Sequence, residues 1–466
     1  MTGFASKVDS FFHITERGSD FGTEIRGGII TFLAMFYILA VNPMILTSTT
    51  GIDFAQLAGA TAIAACVSCL IMGLYAKFPV ALAPGMGINA FIAYTIVQAM
   101  GFDYYQALLI VFITGVLFFI LSVTGVRASI LSGIPGIIRL SISAGIGFFI
   151  VTVGLYNAGI IVHGNGSALT LGQLGSPGVL LSLFCIIITL ALWYKKRWEA
   201  VIAGLLITLA VGFVGGQVFG WDTTVEGTSL IPGVGTAAIT GLGIVPDFGL
   251  FGSMFTEFSM FDLKLLPAFV VSIAVLLVID MFDTTGTLFA IGRTAGIMDP
   301  EGNIDGNEKA LAVDATATVI GAVAGTTTTT SFIESGAGIA AGAKTGLMAV
   351  TVGVLFLVAM FFAPIFSVIT ASCTVGALVI VGFIMIQCIK DVDADDPICI
   401  ATAFTTVFMM GLAGSITDGI AFGALVYLLG MYLTGRKDEL SRPMIVLGII
   451  FLTYLVITFS VIPILL

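Results

Sequence analysis

The chain has 466 residues, 58% of them hydrophobic and only 9% Asp, Glu, Lys or Arg, whereas a soluble globular chain is usually about 25% charged. With a mean hydropathy of +1.15 and apolar runs near the roughly 20 residues that cross a bilayer as a helix, the composition excludes a soluble globule and indicates a polytopic membrane protein. The net charge of −10 collects in short loops such as "DPEGNIDGNE" and "KDVDADDP", and no basic patch exists for nucleic acid.

Residues 1–26 carry Lys7, Asp9, Glu16, Arg17, Asp20, Glu24 and Arg26, which reads as a cytoplasmic N-terminal segment and not as a cleaved signal peptide. Apolar runs then predict spans near 27–48, 55–76, 85–100, 104–124, 140–162, 177–194 and 199–220. A polar, Gly-rich linker at 221–262 follows, with the interfacial-looking "LFGSMFTEFSMF". A second set is predicted near 265–291, 308–325, 332–343, 345–368, 371–389, 397–415 and 418–434, and a further apolar run at 442–465 reads as a fifteenth span or an interfacial helix. The six cysteines include "CVSC", but this lies in an apolar run of a chain with two histidines, so no metal or redox site is expected.

Lys and Arg concentrate on cytoplasmic loops. With the N-terminus inside, all of the 17 positive charges except Lys264 fall on that side. Seven spans (27–220) precede the extracellular linker 221–262 and seven (263–434) follow it, so the second set enters with opposite orientation. The expected fold is an all-α, 7+7 inverted-repeat transporter with an additional C-terminal helix at 442–466. In such folds short, Gly/Pro-interrupted segments at matching places mark the substrate site. Here these are "FPVALAPGMGINAFIAY" and "GTTTTTSFIESGAGIAAGAKTG", the third and tenth segments.

Asp280, Asp283 and Glu334 are the charges expected deep in the membrane. An ionised carboxylate there costs on the order of 2.5–3.5 kcal/mol on insertion scales, which makes each a functional candidate. Asp280 and Asp283, three apart, share a helix face. For Asp283 in "DTTGT" and for Glu334 before "SGAGIAAGA", capping a broken helix end is the competing reading, and a half-helix beginning near Glu334 would aim N–H groups into the cavity. Thr326 to Thr330 suit an extended stretch, and pairing with "VALAP" predicts two short antiparallel strands near the midplane. Pro84 would end its strand, and Gly85 and Gly87 would permit close backbone approach. Asn89 would sit in the first turn of a half-helix, as cap or substrate contact. Asn42-Pro43 marks a kink in the first span that faces the same cavity. Phe91 or Tyr94 is a candidate to stack a flat ligand, and Ser331 of the tenth segment and Thr284 of the eighth are further candidate substrate contacts.

"FGTEIRGGIITFLAMFYILAVNP", "ALAPGMGINAFIAY", "DMFDTTGTLFAIGRTAG" and "TTSFIESGAGIAAGAKTGL" closely resemble, in this order, the azaguanine-type (AzgA-like) purine permeases of the nucleobase–cation symporter group. The resemblance runs from about Phe11 to the last helix. It implies a core domain from segments 1–4 and 8–11 and a gate domain from segments 5–7 and 12–14. It also implies proton-coupled, elevator-type uptake of adenine, guanine or hypoxanthine across the cell (plasma or inner) membrane, without cofactor or metal. Carried over, its eighth-span acids fall on Asp280 and Asp283, its tenth-segment acid on Glu334 and its third-segment amide on Asn89. Ile92, Gly336 and Ala343-Lys344 depart mildly from the pattern.

Carboxylates would accept a purine's ring and amine protons while Asn89 donates to ring nitrogens or a carbonyl. Glu334 and one aspartate are the expected acceptors, and the Asp280/Asp283 pair is the expected proton site, Asp280 first. Na⁺ in place of H⁺ stays open, and a homodimer through the gate domain is an expectation by analogy. Two rivals remain. An anion transporter or channel of the same fold is disfavoured by three acids with no buried Lys or Arg. An intramembrane aspartyl enzyme is disfavoured because both aspartates sit on one helix.

Overall fold

A computed structural model describes residues 3–164, 169–195, 200–225, 227–235, 246–256, 265–295, 307–362, 366 and 368–457. Lys196, Arg197, Lys264, parts of the 221–262 linker and the end of the final apolar run lie outside the described residues. So does the side chain of Arg293.

Segment 1 spans Phe21–Thr50 as two helices, Phe21–Met35 and Ile38–Thr50. It begins earlier than hydropathy suggests because Asp20 caps it, accepting the Thr23 amide at 3.0 Å. Pro43 lies inside the second helix, where its missing N–H leaves a helix carbonyl without its usual donor. Segment 2 spans Phe54–Ala76, capped by Asp53 and closed by a π-helical turn. Segment 3 is broken into a strand Leu82–Pro84, a short helix Met86–Ala90 and a π-helical stretch Phe91–Ala99. Segment 4 is Tyr104–Val123, started by an Asp103/Gln106 capping box that satisfies orphan donors reciprocally. A short helix Val126–Gly133 precedes segments 5 (Gly136–Asn157), 6 (Pro177–Tyr194) and 7 (Ala200–Phe219).

The second set repeats this plan. Segments 8 (Leu266–Ala295) and 9 (Asn307–Ala324) lead to the broken segment 10, a strand Thr329–Ser331 followed by the helix Ser335–Ala340. Segments 11 (Gly346–Met360), 12 (Ala371–Ile386), 13 (Pro397–Ala413) and 14 (Ile416–Leu433) complete it. A last helix, Arg442–Val456, packs on segments 14 and 8. The fold is the 7+7 inverted-repeat transporter architecture, and among the described residues nine helices are long and apolar enough to cross a membrane unaided.

The strands pair antiparallel, Leu82 opposite Ser331, Ala83 opposite Thr330 and Pro84 opposite Thr329. Flanking bonds run from the Gly85 amide to the Thr328 carbonyl at 3.0 Å and from the Phe332 amide to the Ala81 carbonyl at 2.9 Å. Non-helical backbone survives at membrane depth only when paired inside the protein, and all six paired residues are buried. The threonine run is not extended throughout: Thr326 follows Gly325 (φ 90) in a turn. Two packing groups surround this ribbon. Segments 1, 2, 4, 8, 9 and 11 pack on one another around it, and segments 5, 6, 7, 12, 13 and 14 form the second group.

Two local expectations change. The N-terminal stretch is a docked arm: Arg17 donates to the carbonyls of Lys77 at 3.1 Å and Lys344 at 3.4 Å. Segment 5 stops at Asn157, and Ile161–Val162 pair with Thr170–Leu171 as a small hairpin.

Candidate functional site

Segment 8 runs unbroken through Asp280 and Asp283, so Asp283 does not cap an end of its own helix. The two acids differ in surroundings. Asp280 is fully buried; its Oδ2 accepts the Thr318 hydroxyl of segment 9 at 2.8 Å, and its Oδ1 has no hydrogen-bond partner. Asp283, one turn on, is half-buried. Its Oδ2 lies 3.8 Å from where a Cβ on Gly85 would stand, and the same Cβ would come within 2.7 Å of the Thr330 methyl. Gly85 therefore lets the end of the segment 3 strand lie against both segment 8 and the segment 10 strand.

Glu334 is half-buried and interacts electrostatically with Asp283. It occupies the N-cap position of Ser335–Ala340 but makes no capping bond. Its Oε1 instead accepts the Tyr37 hydroxyl of segment 1 at 2.6 Å. The amides of Ser335, Gly336 and Ala337 are used by the carbonyls of Phe332, Ile333 and Glu334, so the short half-helix does not present free N–H groups there. This departs from the sequence expectation: the acid itself, braced by a tyrosine, is what segment 10 presents.

Asn89 is fully buried in the segment 3 half-helix. Thr327 donates to its carbonyl oxygen, and its Nδ2 has no partner. Asn42 donates to Thr61 at 2.7 Å and Thr326 at 2.9 Å, tying the kinked first span to segment 2 and to the start of the threonine run. Phe91 is buried, as are Ser331 and Thr284. Pro84 closes its strand, and a Cβ on Gly87 would meet Ile146 and Ile416 of segments 5 and 14 at 3.1 and 3.4 Å, which makes Gly87 a contact with the other packing group.

Sequence reasoning missed two charges. Asp314 is fully buried because segment 9 begins at Asn307, and seven residues at about 1.5 Å each carry it roughly two turns inward. Its Oδ2 accepts Thr284 at 2.5 Å, while Oδ1 accepts the Ser331 amide at 2.9 Å and the Ser331 hydroxyl at 2.8 Å. Thr284 and Ser331 are thus committed to Asp314, which fastens the ribbon to segments 8 and 9. The second is Arg127, expected in a loop but only 2% exposed. It donates to the Met281 carbonyl at 3.3 Å, lies over the Phe118 ring at 4.5 Å and interacts electrostatically with Asp314 and Asp280. The premise that no basic residue is buried is therefore wrong: the short helix 126–133 tucks this arginine under segment 8. The spacing of Asp314 and Thr318, one turn apart on the helix Asn307–Ala324, was the available signal.

The site thus has two tiers. Asp283 and Glu334 reach accessible space, while Asp280, Asp314 and Arg127 form an enclosed cluster behind them.

A family model, that of the permease family, matches residues 22–421. A putative permease of Methanocaldococcus jannaschii is 40% identical, covering 95% of this chain and 97% of its own. The guanine/hypoxanthine permease PbuG of Bacillus subtilis is 38% identical over 96% and 99% of the two chains. The adenine permease AdeQ of Escherichia coli is 35% identical over 95% of each. Among solved structures, the transmembrane domain of a cyanobacterial bicarbonate transporter, BicA, matches with a TM-score of 0.59 at 15% identity, over 88% of this chain and 96% of that one. Murine Slc26a9, an anion transporter, matches at 0.58 and 10% over 92% and 73%; both share the fold. The chain is a multi-pass membrane transporter and not an enzyme, and it belongs to the permease family, in the azaguanine-type branch that its four motifs resemble.

Proposed function

We propose that this permease takes up purine nucleobases, adenine, guanine or hypoxanthine, by proton symport across the cell membrane with its N-terminus in the cytoplasm. The observation that carries the reading is the grouping of two half-buried carboxylates, Asp283 and Glu334, with Asn89, whose amide nitrogen is unpartnered, one helical turn beyond the Gly85 that lies against Asp283. A purine is flat and uncharged, with donors and acceptors along its edges. Carboxylates accept its N–H protons and an amide N–H donates to a ring nitrogen or carbonyl. An anion would meet like charge in this place, and the buried arginine is engaged with a carbonyl, a ring and the aspartates behind the site. The guanine/hypoxanthine and adenine permeases among the relatives support the substrate class.

Within this reading Asp283 and Glu334 hold the base, and Asp280 carries the coupling proton. Asp280 has one oxygen bonded to Thr318 and one free, and it is enclosed with Asp314 and Arg127. A carboxylate in a dry site near other acids is a natural place to bind and release a proton. The two packing groups act as core and gate, the core moving base and proton past the gate by an elevator-type motion. A homodimer through the gate belongs to the same proposal. The test is isotope uptake competed by each unlabelled purine, with and without a proton gradient. Asp280→Asn should abolish gradient-driven accumulation yet keep exchange, and undiminished accumulation would remove Asp280 from coupling. Glu334→Ala should abolish binding, and unchanged affinity would remove Glu334 from the site.

A further inference from the structure

A cavity of about 570 Å³ lies between the two packing groups at the ends of segments 1, 3, 5 and 13 that are remote from the N-terminal arm. Its volume is in the range of about 300–1,000 Å³ that suits small-molecule sites. One wall is Thr47 of segment 1 with Tyr94 and Gln98 of segment 3; the facing wall is Phe149, Tyr156 and Asn157 of segment 5. None of its described lining residues is Asp, Glu, Lys or Arg. The Thr47 hydroxyl is buried without a hydrogen-bond partner, although a hydroxyl on a helix can usually bond a carbonyl one turn back. Its neighbours Ser48 and Thr49 do so, to Ile45 and Leu46.

The cavity is distinct from the carboxylate site. Thr47 stands ten residues beyond Tyr37, the tyrosine that braces Glu334, which at 1.5 Å per residue is about 15 Å along the helix. Asp283, Glu334 and Asn89 do not line it. Aromatic faces from both walls, two side-chain amides and an unused hydroxyl match a planar, uncharged heterocycle with polar edges. They do not match a cation, which would lack a counter-charge, and the histidine among them, His163, lies against the Tyr156 ring at 5.0 Å between centroids, adding a further aromatic face.

We propose that this cavity is a second, outer binding chamber in which a nucleobase is held, stacked and uncharged, before it reaches Asp283 and Glu334. The inference rests on the nucleobase reading above. Because its walls belong to both packing groups, movement of one group against the other reshapes the chamber, and an occupant holds it open.

The test uses Ser48→Cys, which places a thiol on the exposed part of the wall. The native cysteines do not interfere: Cys66, Cys69, Cys185 and Cys373 are buried, and the half-buried Cys388 and Cys399 lie at the opposite ends of segments 12 and 13. In intact cells a membrane-impermeant maleimide should label S48C, and adenine, guanine or hypoxanthine should protect it. Protection should persist in S48C/E334Q, with its half-maximal concentration within threefold of that in S48C, and should weaken at least fivefold in S48C/Q98A. Loss of protection in S48C/E334Q overturns the proposal, because the label would then report only occupancy of the carboxylate site. Unchanged protection in S48C/Q98A, or a thiol that does not label, overturns it as well. The substrate reading fails separately, and the chamber with it, if wild-type protein takes up none of the three bases.

Discussion

Arg127→Met tests whether the enclosed tier is an electrostatic unit. Methionine keeps most of the buried stem, and volume-conserving exchanges in a core usually cost under about 1.5 kcal/mol. What disappears is the donor to Met281, the cation over Phe118 and the countercharge of Asp280 and Asp314. A hydrogen bond to a charged group contributes about 1.5–3 kcal/mol, and a desolvated cation–π contact about 2. For a close buried pair, removing one partner costs about 3–5 kcal/mol, an upper bound here because Arg127 acts on Asp280 and Asp314 through space, and these contributions overlap and do not add. A loss above about 3 kcal/mol therefore exceeds what packing alone accounts for.

Asp280→Asn is the right partner for a double-mutant cycle. Asparagine can keep its oxygen on Thr318 and turn its amide toward the unpartnered Oδ1 position, so it removes charge with little loss of hydrogen bonding. Denaturation of the detergent-solubilised protein should give R127M/D280N a smaller loss than the sum of the single losses, by about 0.5–3 kcal/mol. A loss below about 1.5 kcal/mol in R127M, or additive losses, would refute the view that arginine and aspartates form one unit.

Glu24 is fully buried and accepts the Lys344 amide at 2.7 Å and the Thr345 amide at 3.2 Å, so it binds segment 1 to the start of segment 11. Glu24→Gln turns an amino group toward one of those donors and should cost about 1.5–3 kcal/mol in the same denaturation assay. On the loops, Asp396 caps segment 13 and pairs with Arg436 at 2.6 Å. The hydrogen bond from Arg436 holds the Asp396 carboxyl below its ordinary value of 3.8. A lowered folded-state value contributes stability that is present above the unfolded value and lost as pH falls through the folded one. Asp396→Asn should therefore be less stable than wild type at neutral pH, with the gap closing below about pH 4. Thermal scans at several pH values check the sign.

Much of the fold was legible because a bilayer constrains the chain severely. Span count, the broken third and tenth segments and the pairing of "VALAP" with the threonine run follow from which stretches can satisfy their own backbone in lipid. Asp280, Asp283 and Glu334 stood out because nothing else near them was charged. Arg127 and Asp314 were hidden by the same logic, since both lie close to polar boundaries that hydropathy assigns to loops. Only packing reveals that the helix 126–133 folds inward and that segment 9 begins two turns before its acid. Phe91 had the right chemistry for a stacking ligand, but a helix position does not say which way a ring points, and the fold buries it in the core.

The two repeats share a shape but divide the chemistry. The described acids of the two tiers, Asp280, Asp283, Asp314 and Glu334, all come from segments 8 to 10, whereas segments 1 and 3 contribute Tyr37, Asn42 and Asn89. Every one of those neutral side chains is bonded to a residue of segment 10 or the run leading into it: Tyr37 to Glu334, Asn42 to Thr326 and Asn89 to Thr327. The arrangement has a mechanical consequence. Protonation or ligand binding at an acid of the second repeat alters bonds whose other ends lie in the first, so segments 1, 3 and 10 respond together. Gly85, where a side chain would collide with Thr330 and approach Asp283, brings the ribbon close to segment 8. Under the elevator motion proposed above, base and proton would have to travel with one body, and a neutral half stapled to an acidic half through the ribbon would supply that body.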